Sequence, residues 1–243
     1  MANEVMLLLP TLNEEKALKA LANEIPDTFA VLVIDGGSAD GTKAAAEALG
    51  YTFLQQKFGR GKGCGVRTGM EQFLQSGCQY LAMIDADYTN DPRELAKMVA
   101  LLKDYDVALG SRDPQLQREL LGRFSLFINR STSWLVSRAY RRDLPDIQTG
   151  YWAFSRRAVE ALLPRLKAKG FEIEYDIVYS AWRLGLRIGW APVTFRKRLG
   201  ASKFTYYLRL KQIYYGLTYI ARSLWLMALG AHAGDGARNE PQH

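Results

Sequence analysis

A mostly parallel α/β sheet flanked by helices is the fold class this sequence predicts, and three observations predict it. Short apolar runs alternate with helical stretches of about ten to fifteen residues. Several of those runs close on glycines or carboxylates. The run Tyr80-Leu81-Ala82-Met83-Ile84 ends abruptly in Asp85-Ala86-Asp87, as a buried parallel strand does at its carboxyl end.

Taken in order, Val5 to Leu9 is the first strand, and Asn13 is placed to cap the helix that follows Pro10-Thr11-Leu12. Val31 to Asp35 is the second strand. The Gly36-Gly37-Ser38-Ala39-Asp40-Gly41-Thr42 turn follows it, with Asp40 or Thr42 capping an alanine-rich helix to Leu49. Tyr51 to Leu54, aromatic and β-branched, is a short third strand. Gly59-Arg60-Gly61-Lys62-Gly63 opens a helix through Phe73, and the Tyr80 strand comes next. A helix from Pro92 to Leu102 and a strand from Val107 to Gly110 complete the alternation. Beyond Ser111-Arg112 the pattern changes. Residues 114–142 form a long basic helical region, Gln148 to Phe154 a returning strand, Ala158–Leu166 and Glu174–Leu184 helices, and Ile188–Phe195 a last strand.

Length and composition narrow the function classes. A chain of 243 residues with 48% hydrophobic content suits one α/β domain with a short appendage and excludes global disorder. The net charge of +7 predicts an anionic partner: nucleic acid, a phosphorylated substrate or an acidic membrane. Cys64 and Cys78 lie too far apart for a metal knuckle and form no disulfide framework, which fits a reduced cytoplasmic setting. The first apolar run stops at Pro10 without the basic region and cleavage site of a leader, and no stretch of about 18 apolar residues predicts a membrane span.

Strand ends carry the candidate chemistry. Asp85 and Asp87, separated by one residue on an extended chain, leave the same side about 6–7 Å apart. Like charges that close favour a divalent cation between them, and ligands of open α/β sheets collect beyond such strand ends. Asp35 is able to accept from a base imino group or a ribose hydroxyl, although Asp-Gly-Gly-Ser is also an ordinary turn. The Gly-Arg-Gly-Lys-Gly run offers backbone N–H groups and the Lys62 ammonium to a phosphate at a helix start. It is not a Walker A loop, since Gly63 stands where Ser or Thr is needed. All these groups fall at the ends of successive strands and so converge on one crevice.

The ordered set Leu9-Pro10-Thr11-Leu12-Asn13-Glu14-Glu15, Val33 to Thr42, Gly61-Lys62-Gly63 and Asp85-Ala86-Asp87 resembles the family 2 glycosyltransferases of GT-A fold. Asp146-Ile147-Gln148-Thr149-Gly150-Tyr151, Phe171 to Glu174 and Pro192 to Lys203 are similar to the polyprenyl-phosphate (dolichyl-phosphate type) mannosyl- and glucosyltransferase branch. The resemblance covers roughly residues 4–204 and implies a nucleotide-sugar donor (UDP- or GDP-sugar), Mg²⁺ or Mn²⁺, a lipid-phosphate acceptor and inversion at the anomeric carbon. It implies that Pro10, Asn13 and Glu14 line the nucleotide pocket, Asp35 meets the base and Lys62 lies near the donor. It makes Asp85, Ala86 and Asp87 the metal motif, and puts Arg112, with Arg130 by a looser alignment, at the acceptor phosphate. Arg196, Arg198 and Lys203 then belong to a mobile basic loop over the diphosphate, and Glu172 or Glu174 holds sugar hydroxyls or is a solvated helix-start carboxylate. The chain departs from that pattern at Gly36, where a second Asp is common, and at Thr89, where mannosyl members often carry Gln.

No catalytic base is required on this reading, because a lipid monophosphate with a second pKa near about 6 already presents an ionised oxygen. Between Asp176 and Asp235 the chain has no acidic residue, while Arg, Lys, Tyr and Trp interleave from Phe204 to Trp225. That segment suits a helix on an anionic bilayer surface, or an ordinary helix packed on the sheet; nucleic acid ranks below both for want of an accompanying motif. The expected organisation is a catalytic domain over 1–204, membrane-surface helices over 205–232 and a flexible tail over 233–243, peripheral on the cytoplasmic side of a membrane. The rival readings are a nucleotidyltransferase on a similar sheet and a non-catalytic basic module.

Overall fold

The computed structural model describes residues 4–200, 214, 217–221, 224 and 225. Seven strands form one sheet: β1 (Val5–Thr11), β2 (Phe29–Asp35), β3 (Thr52–Gln55), β4 (Tyr80–Met83), β5 (Val107–Arg112), β6 (Trp152–Ser155) and β7 (Ile188–Val193). Their order is β3-β2-β1-β4-β6-β5-β7. The chain winds outward from β1 to β3 and then returns to place β4 on the other side of β1. This reversal puts a crevice at the carboxyl ends of β1 and β4.

Period-two patterning explains why the sheet is covered on both faces. In β1, Leu8 joins the core on one face while Leu7 and Leu9 join that on the other, and all three are fully buried. Helices α1 (Glu15–Ala22), α2 (Thr42–Ala48) and α4 (Leu95–Ala100) cover the Leu7 face through Leu18, Leu21, Ala45, Ala46, Leu95 and Met98. Helices α3 (Lys62–Leu74), α6 (Arg123–Tyr140), α7 (Arg156–Leu162) and α8 (Ile173–Arg183) cover the other face, around Trp152 and Phe154.

Several expectations change in detail. The basic region is two helices, α5 (Pro114–Leu121) and α6, because the backbone turns at Gly122 with φ of 86°. The returning strand starts only at Trp152 and runs antiparallel to both neighbours. The chain leaves β5 at one end of the sheet, makes the α5–α6 hairpin there, and re-enters from the same end. Asn13 does not cap α1: Glu14 holds that position, while Asn13 (φ 52°) bonds to the next loop. The last strand ends at Val193, and Phe195 makes only an isolated bridge to Asn90.

Within the expected membrane segment, Ile220 is buried and Tyr219 stacks on Tyr175 of α8 with centroids 6.4 Å apart. The rest of 205–232, and the 233–243 tail, lie outside the described residues. Among the described residues no helix is long and apolar enough to cross a membrane.

Candidate active site

A cleft of about 1020 Å³ opens at the carboxyl ends of β1 and β4, and eight of the sequence-selected residues line it. They are Pro10, Glu14, Lys62, Asp85, Ala86, Asp87, Glu172 and Arg198. Asn13, Asp35, Arg112, Glu174 and Arg196 are not in its lining. Lys203 lies outside the described residues.

The wall after β1 and β2 is two loops clipped together. The Asn13 N–H donates to Ser38 Oγ at 2.7 Å, and Asn13 Oδ1 accepts from the Ala39 N–H at 2.7 Å. Asp35 is 1% exposed, and its carboxylate accepts from the N–H groups of Gly37 and Ser38, the Ser38 hydroxyl and Gln55 Nε2. Its acceptor positions are consumed by the turn, so it shapes the wall and orients Gln55 instead of facing a base directly. Gln55 and Gln56 do line the cleft. Gln55 ends β3 and Gln56 follows it, so the strand-end reasoning that singled out Asp35 applies to them as well.

Part of the expected phosphate nest at the start of α3 is already taken. Gly63 N–H donates to Gly170 O at 3.1 Å and Cys64 N–H to Lys169 O at 3.2 Å. A Cβ on Gly63 would collide with the Ala168 carbonyl, so glycine serves close backbone packing here and not phosphate contact. Lys62 is the group this turn delivers. Its ammonium lies 2.6 Å from Asp85 Oδ1 and 2.7 Å from Glu174 Oε1. Burial works against the ammonium, but the Asp85 and Glu174 carboxylates outweigh it and push its pKa up. Glu174 is itself buried at the start of α8, which raises its carboxyl pKa despite Lys62. Its contact with Lys62 and its burial make it a buried partner of that ammonium and not a solvated carboxylate, and its Oε2 has no hydrogen-bond partner among the described residues.

Asp85 and Asp87 follow β4 on an irregular turn, so strand alternation does not govern where they point. Asp85 N–H donates to Gly150 O at 3.2 Å, and a Cβ on Gly150 would fall on the Asp85 carboxylate. Asp87 Oδ1 accepts from the Thr89 N–H, and Asp87 Oδ2 meets Arg198 Nη2 at 2.5 Å. The two carboxylates thus each face a protein cation across the cleft. Two carboxylates opening on one cleft fit a hard divalent ion that keeps positions for phosphate oxygens and water. Among the described residues no group of three or more His, Cys, Asp or Glu completes a protein-only cage.

Arg198 reaches the cleft because the basic segment is tied along the turn after β4. Arg196 N–H donates to Thr89 O and Leu199 N–H to Asp87 O. The Arg196 guanidinium points away, 2.6 Å from Glu24 and paired with Asp91. The Arg93 guanidinium, and then that of Arg196, hold the Asp91 carboxyl at about 2, below its ordinary 3.8, although burial opposes them. A depressed carboxyl contributes stability above its unfolded value and loses that contribution as pH falls through the folded value. The stability gap between wild type and Asp91→Asn should accordingly shrink from about pH 4 to about pH 2, read from urea midpoints. A gap constant over that range would mean the tether carries no such charge.

Arg112, at the end of β5, does not line the cleft and is not free. Its Nε lies 2.7 Å from Asp146 Oδ2, its Nη2 lies 2.9 Å from Asp146 Oδ1, and Nη2 also donates to Gln148 O at 2.9 Å. Asp146, 1% exposed, further accepts from Asn129 at 2.9 Å and from Gln117. An acceptor contact at Arg112 would have to share it with this carboxylate. Arg130 sits apart from the cleft, in a depression with Arg118 and Arg123.

Residues 7–163 match the sequence model for glycosyl transferase family 2. The chain is 33% identical over 201 residues to glycosyltransferase AglJ of Haloferax volcanii, aligning over 82% of its own length and 65% of that protein. It is 30% identical to the undecaprenyl-phosphate mannosyltransferase of Micrococcus luteus, over 83% of this chain and 87% of that one. Among solved structures it superposes on Mycobacterium tuberculosis glucosyl-3-phosphoglycerate synthase, crystallised with Mn²⁺, UDP and glucosyl-3-phosphoglycerate. The TM-score is 0.68 at 20% identity, covering 90% of this chain and 80% of that one.

Proposed function

The chain belongs to glycosyl transferase family 2 and is a glycosyltransferase; from that premise we propose that it moves one sugar from a UDP- or GDP-sugar to a polyprenyl phosphate with inversion. The names of its relatives support a polyprenyl-phosphate acceptor. The observation that carries the reading is one cleft in which two carboxylates, Asp85 and Asp87, face two exchangeable cations, Lys62 and Arg198. A diphosphate entering with its own cation matches both charge sets at once.

In the reaction the acceptor phosphate oxygen bonds to the anomeric carbon as the carbon–oxygen bond to the diphosphate breaks, and that electron pair leaves with the nucleoside diphosphate. Asp85 and Asp87 would hold the Mg²⁺ or Mn²⁺, and such an ion would supply neutralisation of the charge that grows on the leaving diphosphate. Arg198, released from Asp87, turns onto the diphosphate and keeps its donor fork there. Lys62 stays anchored by Glu174, so its charge is fixed where the donor lies. The clipped loops of the nucleotide wall orient the donor, with Gln55 and Gln56 offering amide groups to a base edge.

A panel of UDP- and GDP-sugars with a short polyprenyl phosphate tests this, with labelled product scored in the organic phase. The expected result is product from donors of one base only, lost on EDTA and restored by Mg²⁺ or Mn²⁺. Release of pyrophosphate in place of a nucleoside diphosphate would identify a nucleotidyltransferase, and no lipid product from any donor would reject the acceptor.

A further inference from the structure

One carboxylate outside the cleft holds both the turn that carries Asp87 and the segment that carries Arg198. Glu24, in the connection between α1 and β2, is not in the cleft lining. Its Oε1 accepts from the Tyr88 hydroxyl at 3.0 Å, and its Oε2 lies 2.6 Å from Arg196 Nη1. Tyr88 and Arg196 stand 64 and 172 residues further along the chain. The Arg196 guanidinium also lies over the Tyr88 ring, 5.1 Å from its centroid. Glu24 thus closes a clamp on these two side chains. It stands between Leu21 and Ile25, both buried in the core, so the clamp is fixed to the body of the sheet.

Each clamped residue is a near neighbour of a cleft residue. Tyr88 directly follows Asp87, and Arg196 precedes Arg198 by two positions. Tyr88 has φ of 75°, a left-handed backbone that a bulky residue adopts only where its surroundings hold it there. The Glu24 carboxylate on its hydroxyl and the guanidinium over its ring are such surroundings. Released, Tyr88 would relax toward negative φ and turn the Asp87 backbone with it. The Asp87 carbonyl accepts from the Leu199 N–H at 3.1 Å, so the Arg198 segment would shift as well. Arg198 Nε is buried with no hydrogen-bond partner among the described residues, so part of its placement comes from the segment that carries it.

We propose that Glu24 is a positioning residue for sugar transfer: through Tyr88 and Arg196 it sets where Asp87 and Arg198 stand across the cleft. The proposal rests on the reading of that cleft as the donor and metal site. Groups held in place beforehand need no ordering when the donor and its ion arrive, and a small misplacement is felt as lost affinity and rate. Asp91 also pairs with Arg196, but it belongs to the same turn as Asp87. Glu24 comes from a separate layer of the fold, and it alone of the two ties that turn to α1.

The test is Mn²⁺ binding in the presence of UDP or GDP, read from the EPR signal of free Mn²⁺, alongside kcat and KM for the donor. Glu24→Ala should weaken Mn²⁺ binding about fivefold and lower kcat/KM for the donor about tenfold. Glu24→Gln, which still accepts through one oxygen, should fall between wild type and alanine. Tyr88→Phe keeps the ring and loses the hydroxyl, and should move both readouts in the same direction by less. Val159→Ala, a core truncation in α7 on the opposite face of the sheet, lowers stability without touching the clamp and should leave both at wild type. In a double-mutant cycle, Glu24→Ala should cost less than about threefold in kcat/KM once Arg198→Ala is present. Unchanged Mn²⁺ binding and kcat/KM in Glu24→Ala and Tyr88→Phe would overturn the proposal. So would an equal loss in Val159→Ala, or the full cost of Glu24→Ala on top of Arg198→Ala. Wild-type protein that binds no Mn²⁺ with either nucleotide would instead reject the metal reading of the cleft, and the proposal with it.

Discussion

Asp85→Asn and Asp87→Asn should each lower sugar transfer by about 10²–10³-fold, the order found when one preorganised charge-stabilising group is lost. Stability should hardly move. Lys62 keeps Glu174 when Asp85 loses its charge, and Arg198 keeps Glu14, 3.8 Å away, when Asp87 does. The urea midpoint should shift by no more than about 1 kcal/mol in equivalent stability, the scale of one partly exposed polar interaction. Raising the Mg²⁺ or Mn²⁺ concentration should recover part of the lost rate, since each variant retains one carboxylate. Full activity in both variants would remove the metal role and favour a non-catalytic binding module. A collapse in stability would mean the pair serves the fold first.

The largest stability effect is expected at Asp146→Ala. Arg112 is largely buried and cannot shed its proton, so removing its bidentate partner leaves a full charge with the Gln148 carbonyl and the Phe195 ring as its direct contacts. Breaking one side of a buried pair costs about 3–5 kcal/mol. Asp146 also organises Asn129 and Gln117, so the hairpin should loosen with it. Asp146→Asn, which keeps the shape and loses the charge, should fall between wild type and alanine in urea unfolding. A loss below about 1 kcal/mol for alanine would show that water or another group reaches Arg112.

The comparison of Lys62 with Arg112 shows where sequence reading succeeds and where it stops. Lys62 was legible as a cation at a helix start, and Arg112 was singled out by the resemblance to the family. Their partners were not legible. Glu174 is 112 residues from Lys62, and Asp146 is 34 from Arg112. Gly63 was visible as a glycine at a helix start, but the carbonyls that accept from this turn belong to Lys169 and Gly170. Asp35 was visible as a strand-end carboxylate, while only the folded turn shows its oxygens already taken.

By itself the sequence determined the alternation of strands and helices and the set of carboxylates and glycines at the strand ends. Those features depend on side-chain periodicity and turn chemistry within a few residues. Only the tertiary structure decided the antiparallel entry of β6, the cation opposite each carboxylate and the outward face of α6. These depend on contacts between segments far apart in the chain, whose geometry is set when the whole sheet packs and not by any local window.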